Sequence, residues 1–244
     1  MLTTYLHGFI SKFIIIEDDL EEPGDKLFKN LITSALSTKL NIIYLQFSFN
    51  LVKNIPDKTK VTKLYDFTKL SSPEASKTCQ DILNDVNTDS ILIIDSLSHM
   101  YYKLKAKETY KILIKATKLP EFKQILTLLH SDLLQENDEI IHHCSSLSSL
   151  HIKIERQFGE ARRLSYLFRK GRGKAIREIE EWCITDGKLI TRPVAKVDLK
   201  TYLQENNPSI NSLSTFNIEL NEKDKQNRSQ MDLPFYLSIL IVYL

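Results

Sequence analysis

Ser90-Ile91-Leu92-Ile93-Ile94-Asp95-Ser96 is the stretch whose reading decides the fold. Its apolar run is too short for a helix and carries no polar alternation, the pattern of a strand buried on both faces of a parallel sheet. In nucleotide-hydrolysing α/β domains such a strand ends in an aspartate that holds magnesium, while a glycine-rich loop after the first strand cradles the phosphates. Here the aspartate is present and the loop is not. The first buried strand, Phe13-Ile14-Ile15-Ile16, leads into Glu17-Asp18-Asp19-Leu20-Glu21-Glu22-Pro23-Gly24-Asp25-Lys26, where six carboxylates stand in place of glycines. Free backbone amides would attract a phosphate; these side chains repel one. The pattern GxxxxGK[ST] occurs nowhere, and Gly171-Arg172-Gly173-Lys174 lacks both its spacing and the following hydroxyl residue.

Working outward, Leu27, Phe28, Leu31, Ile32, Ala35 and Leu36 mark one face of a helix after the acidic loop. Further strands are expected at 42–47, 125–129 and 147–154. Ala75, Cys79, Ile82, Leu83 and Val86 predict a helix over 74–86, and a second is expected over 107–119, closed by Pro120. Short apolar runs alternating with helices give a doubly wound α/β fold. After His151 the pattern changes: Leu164, Tyr166 and Phe168 alternate, Gly171 to Gly173 supply a turn, a mixed segment follows over 175–184, and Asp186-Gly187 turns into 188–191. These are read as antiparallel strands at the sheet edge, with a short helix as the alternative for 175–184. The expected division is a domain over 1–197 and a polar, extended tail over 198–244, rich in Asn and Ser.

Composition narrows the function classes. Thirty-three basic against thirty-one acidic residues give a net charge of +2, so a nucleic-acid role has to rest on local patches. The three cysteines, Cys79, Cys144 and Cys183, are odd in number and widely spaced, fitting a reducing compartment and neither a disulfide framework nor a CxxC zinc site. The first residues lack the basic and apolar regions of a secretion signal.

Three stretches together carry a resemblance: Ile94-Asp95-Ser96-Leu97-Ser98, Leu128-Leu129-His130-Ser131-Asp132-Leu133, and Ser214-Thr215-Phe216-Asn217-Ile218 followed by Leu233-Pro234-Phe235. In this order, with the basic hairpin and Asp186-Gly187-Lys188-Leu189-Ile190 between them, they resemble the Elongator complex protein five family from about Phe9 to Phe235. The resemblance implies a RecA-like fold without a working phosphate loop: a mostly parallel twisted sheet with flanking helices and antiparallel strands at its C-terminal edge. It implies a non-catalytic subunit without a cofactor or metal, joined to Elongator proteins four and six in a hetero-hexameric ring. That ring binds tRNA and serves the catalytic Elongator subunits, which modify the wobble uridine at carbon five with acetyl-CoA and radical chemistry held in another subunit. The expected location is cytoplasmic and nuclear, with no membrane association. Members of the family usually end soon after the Leu-Pro-aromatic element. Here Tyr236 to Leu244 follow, too short an apolar stretch to span a membrane, and are read as an atypical terminus from an alternative transcript or an imperfect gene model.

Seven basic residues, Arg162, Arg163, Arg169, Lys170, Arg172, Lys174 and Arg177, occur between positions 162 and 177 without an acidic one. A hairpin tip carrying Arg169, Lys170, Arg172 and Lys174 suits phosphate contact, the bland reading being a solvated face. In the tail, Phe216, Ile218 and Leu220 alternate as in an added strand, and Pro234 and Phe235 form a compact anchor. These residues suit docking on a neighbouring subunit or packing back on their own domain. Asp95 is expected as a capping or interface group more than a magnesium ligand, and the acidic loop 17–22 as a subunit contact. Ser96, His130 and Asp132 lack a GxSxG elbow and are not expected to form a hydrolase triad. His142-His143-Cys144, read as strand neighbours pointing to opposite faces, does not converge on a metal. Two rival functions stay open at this point: an active RecA-like ATPase and a free-standing RNA-binding module.

Overall fold

The computed structural model describes residues 2–6, 9–49, 57–134, 138–158, 161–170 and 173–194. The chain divides into two compact units, Met1–Val194 and Ala195–Leu244, and all described residues lie in the first. Nine strands form one sheet: β1 (Phe13–Asp18), β2 (Asn41–Gln46), β3 (Lys63–Asp66), β4 (Ser90–Ile94), β5 (Phe122–His130), β6 (Leu150–Phe158), β7 (Ala161–Lys170), β8 (Lys174–Thr185) and β9 (Lys188–Pro193). Their spatial order is β3-β2-β4-β5-β1-β6-β7-β8-β9. Pairing is parallel from β3 to β6 and antiparallel from β6 to β9. The mostly parallel sheet with an antiparallel edge is the architecture expected from the sequence.

Period-two alternation in the central strands divides the core between the two faces. Ile14 and Ile16 face helix α2 (Asp25–Leu36), while Phe13 and Ile15 join the core under α3 (Ser72–Asp85), α4 (Leu97–Leu104), α5 (Ala106–Lys118) and α6 (Asp138–Leu147). Every residue of β1 and β4 is buried, which is why Phe13 to Ile16 and Ile91 to Ile94 read as apolar runs. A short N-terminal helix, α1 (Leu2–Leu6), adds Leu2 to the α2 side. The start of α3 is fixed by a capping box in which Ser71 and Glu74 satisfy one another's backbone amides, with Pro73 in the first turn.

The structure corrects two local readings. The segment 147–154 is not one strand: α6 closes at Leu147, and β6 starts at Leu150. The adjoining His142-His143-Cys144 therefore lies on a helix, where Cys144 turns into the core and both histidines are exposed. The mixed segment 175–184 is strand throughout, as read from the sequence, and the helical alternative falls away. The turn at Asp186-Gly187 has positive φ at both residues, 52° and 73°, as a tight hairpin requires.

Candidate functional site

Open α/β sheets place ligands beyond the carboxyl ends of their parallel strands. At that edge β1 ends in Glu17 and Asp18, β4 leads into Asp95 and Ser96, and β5 ends in His130. Asp18 and His130 are register partners across β1 and β5, with Asp18 Oδ1 2.7 Å from His130 Nδ1. The other carboxylate oxygen, Oδ2, accepts the Gly24 N–H at 2.7 Å. Gly24 is the N-cap of α2, so the Asp18 carboxylate sits at the helix end that would otherwise face an anion. A side chain on Gly24 has little room: its Cβ would lie 3.1 Å from Ile16 Cγ2 and Leu128 Cδ1.

The acidic loop spends its charge within the chain. Glu17 is buried between His151 Nε2 at 2.8 Å and Lys153 Nζ at 2.9 Å. Burial alone would raise its pKa, but these neighbours outweigh burial and hold the carboxyl below the usual range. Asp19 Oδ1 accepts the backbone amides of Glu21 and Glu22, Glu21 lies 3.0 Å from Arg156, and Glu22 accepts the Gln157 N–H. A loop expected as a subunit contact is thus tied mainly to β6 and to itself.

Asp95 is fully buried, and both its oxygens are engaged. Oδ1 accepts the Phe47 N–H at 2.7 Å; Oδ2 accepts the Ser48 N–H and hydroxyl, each at 2.9 Å. Burial pushes its pKa up to about 6 against the opposing pull of these hydrogen bonds. Asp95 therefore clamps the end of β2. Next to it, Ser96 caps α4 by accepting the His99 N–H, and its hydroxyl lies 2.8 Å from His99 Nδ1. The His99 and His130 rings meet edge to face, their centroids 6.3 Å apart. Burial and the neighbouring His130 pull His99 below its ordinary pKa. For His130, burial also acts downward, but the Asp18 hydrogen bond and charge prevail and raise it.

These pairings separate the residues of the rejected triad. Ser96 meets His99, His130 meets Asp18, and neither grouping involves Asp132. Ser96 is fully buried and so presents no face to a substrate. The Ser96–His99 contact has a local signature, a helix-capping serine followed three residues later by a polar side chain. The Asp18–His130 contact has none. Among the described residues, no group of three or more His, Cys, Asp or Glu side chains is placed to hold a metal ion. The three cysteines are unpaired, and burial pushes the Cys79 and Cys144 thiols up to about 12.

The cations of the basic hairpin are divided between internal partners and solvent. Arg169 is half-buried, and its guanidinium donates to the Ser148 carbonyl and hydroxyl and to Ser145 Oγ at 3.3–3.4 Å. Arg162 lies over the Trp182 ring, and Arg163 is 3.6 Å from Glu181. Lys170 and Lys174 are exposed register partners, and Arg177 is exposed. Arg172 lies outside the described residues, as do Phe216, Ile218, Leu220, Pro234 and Phe235. Among the described residues, no helix is long and apolar enough to cross a membrane.

Comparison with solved structures finds the flagellar accessory protein FlaH from Methanocaldococcus jannaschii at TM-score 0.57 and 12% identity, over 79% of this chain and 95% of that one. It also finds the protein PH0321 from Pyrococcus horikoshii, solved in complex with an unknown peptide, at TM-score 0.50 and 13% identity, over 76% and 92%. At such identities the likeness concerns the fold alone, which is RecA-like. Comparison with curated protein sequences finds no match. The family model described as Elongator subunit Iki1 matches residues 4–168, a span running from α1 through the acidic loop and the Asp95 strand into β7, and the chain belongs to that family.

Proposed function

We propose that this protein is a non-catalytic subunit of the Elongator accessory ring, assembled with Elongator proteins four and six as a hetero-hexamer. In the cytoplasm and nucleus the ring supports tRNA binding for modification of the wobble uridine at carbon five by the catalytic Elongator subunits. The observation that carries this reading is Asp18 at the N-terminus of α2. A carboxylate bonded to Gly24 N occupies the place where a nucleotide-hydrolysing relative needs open amides for phosphate. Asp95, the other half of a nucleotide site, is committed to Phe47 and Ser48. A RecA-like frame whose nucleotide crest is internally satisfied suits a role in assembly.

In this reading the first domain spans 1–197, and the tail over 198–244 docks on a neighbouring subunit through Phe216, Ile218, Leu220, Pro234 and Phe235. Lys170, Arg172 and Lys174 meet tRNA phosphates, with Arg169 supporting the hairpin beside them. The test is co-expression with Elongator proteins four and six, with the mass of the product read by light scattering for the full chain and for a chain stopped before Ser214. A six-membered assembly lost on shortening is the expected result. A monodisperse monomer that ignores both paralogues overturns the proposal.

A further inference from the structure

The two halves of the sheet are covered differently. On the face that carries Phe13 and Ile15, the parallel strands lie under α3, α4, α5 and α6. The same face continues across the antiparallel strands, because Ile15 pairs with His151 and His151 with Leu167. Register then places Leu167 beside Arg177, Arg163 beside Glu181, Glu181 beside Arg192, and Cys183 beside Ile190. The opposite face of these strands is closed by Leu164, Tyr166, Phe168 and Trp182 in the core, on the side of α1 and α2. The open face keeps Ile179 51% and Ile190 39% exposed. Glu181, Cys183, Ile190 and Arg192 also border a groove of about 510 Å³ at the corner where the β8–β9 hairpin meets Lys26 of α2.

Charge on this face is unbalanced. Glu155 accepts the Ser165 hydroxyl, and Glu181 lies 3.6 Å from Arg163. Arg177, Lys188 and Arg192 are exposed and have no ion pair with a described residue. An occupant must therefore bring anions to these three cations and apolar surface to Ile179, Ile190 and Leu167. A nucleic acid supplies only the first. Its backbone gains nothing from isoleucine, and the described residues of this face include no Phe, Tyr or Trp on which a base could stack. A protein surface with an apolar strip flanked by carboxylates supplies both.

Resting on the reading of the chain as a ring subunit, we infer that the open face of β7, β8 and β9 is the seat of a neighbouring protein subunit, which presents apolar side chains to Ile179 and Ile190 and carboxylates to Arg177, Lys188 and Arg192. Strands that look like a hairpin appendage are, on this account, an interface built beside the core. The cations give register and speed of encounter, and the isoleucines give residence time.

The experiment combines amide hydrogen exchange over β7–β9, in the isolated chain and in the assembly with Elongator proteins four and six, with two variants of exposed residues. Ile179→Asp is expected to melt as the wild type does and to weaken assembly at least tenfold. Arg177→Glu with Arg192→Glu, which removes no buried group, is expected to do the same with a lost salt dependence, and keeps the test open should the first variant fold poorly. In the wild type, amides of β8 and β9 should slow on assembly. Normal assembly of the double variant, with unchanged exchange over β7–β9, overturns the inference and leaves the ring intact. Slow exchange already present in the isolated chain overturns it in favour of a segment of this chain as occupant, and slowing only on addition of tRNA overturns it in favour of RNA. A wild-type chain that assembles with neither paralogue overturns both readings.

Discussion

Asp18 and His130 face one another across neighbouring parallel strands, joined at 2.7 Å, while the second oxygen of Asp18 holds the first turn of α2. One carboxylate thereby links β1, β5 and α2 at the point where the fold would otherwise receive an anion. Its two bonds favour the same charge: the helix end attracts a negative group, and that group in turn favours a protonated imidazole.

The first prediction follows from the two histidines that meet edge to face, His99 and His130. His130 should titrate above 6.5 and His99 below it, readable from the imidazole resonances. A histidine raised in the folded state contributes stability that is complete below its unfolded pKa and is lost as pH rises through the folded value. The urea midpoint should therefore fall as pH climbs past 6.5, with the buried His99 opposing this at lower pH. Asp18→Asn should remove the His130 slope, return its titration toward 6.5, and cost about 1–3 kcal/mol by weakening a buried bond at a helix cap. Two histidines titrating together near the ordinary value would contradict the geometry.

These contacts mark the limit of what could be read in advance. The strands β1 and β4 were legible because burial on both faces forces an unbroken apolar run, and α3 because its apolar positions keep a helical period. Strand β3, Lys63-Leu64-Tyr65-Asp66, lies at the sheet edge with little burial and leaves no such trace. Helix α6 begins in polar sequence and carries adjacent histidines, so no period stands out. In the site, Asp95 was visible as the end of a buried strand. Its partners Phe47 and Ser48, 48 and 47 residues away, were not, and Asp18 is 112 residues from His130. Such pairings arise from strand order, which local pattern does not encode.

The second prediction concerns Asp95. Its pKa, raised by burial from 3.8 to about 6, makes the protonated acid the form favoured by folding, so its contribution to stability falls as pH rises across that interval. Asp95→Asn abolishes this dependence. It also sets an amide N–H₂ against backbone donors at Phe47 or Ser48, costing about 1–3 kcal/mol at neutral pH. Urea unfolding of both proteins from pH 3.8 to about pH 6, the interval of the shift, decides it. Parallel curves would place the Asp95 titration elsewhere.

A third prediction separates the hairpin cations. Arg169→Ala should lower the melting temperature, since it removes the guanidinium's bonds to Ser145 and Ser148, worth about 1 kcal/mol. Lys170→Ala with Lys174→Ala should leave melting unchanged or slightly raise it, because like charges stand opposite one another on adjoining strands. In the proposed ring, the same pair should reduce the salt slope of tRNA binding by about 0.7–0.9 for each phosphate contact removed. A slope that ignores Lys170 and Lys174 would assign them to solvent.

The last prediction turns on the space beside Gly24. For a nucleotide to use the end of α2, Asp18 would have to leave Gly24 N, abandon His130 and swing past walls formed by Ile16 and Leu128, both within van der Waals reach of a Cβ at Gly24. Giving up two charge-assisted bonds in a buried setting costs several kcal/mol before any phosphate contact is made, on the order of 1.5–3 for each. The isolated chain should therefore show no magnesium-dependent binding of a fluorescent ATP analogue at millimolar concentration and no turnover. Asp18→Ala frees the amide and removes the repelling charge, but leaves Asp95 bonded to Phe47 and Ser48, so the magnesium half of the site stays closed. That variant should gain at most weak, magnesium-independent affinity for inorganic phosphate. Magnesium-dependent turnover by the wild-type chain would mean that both carboxylates can be recruited away from their backbone partners, and the pseudo-enzyme reading would fall with that result.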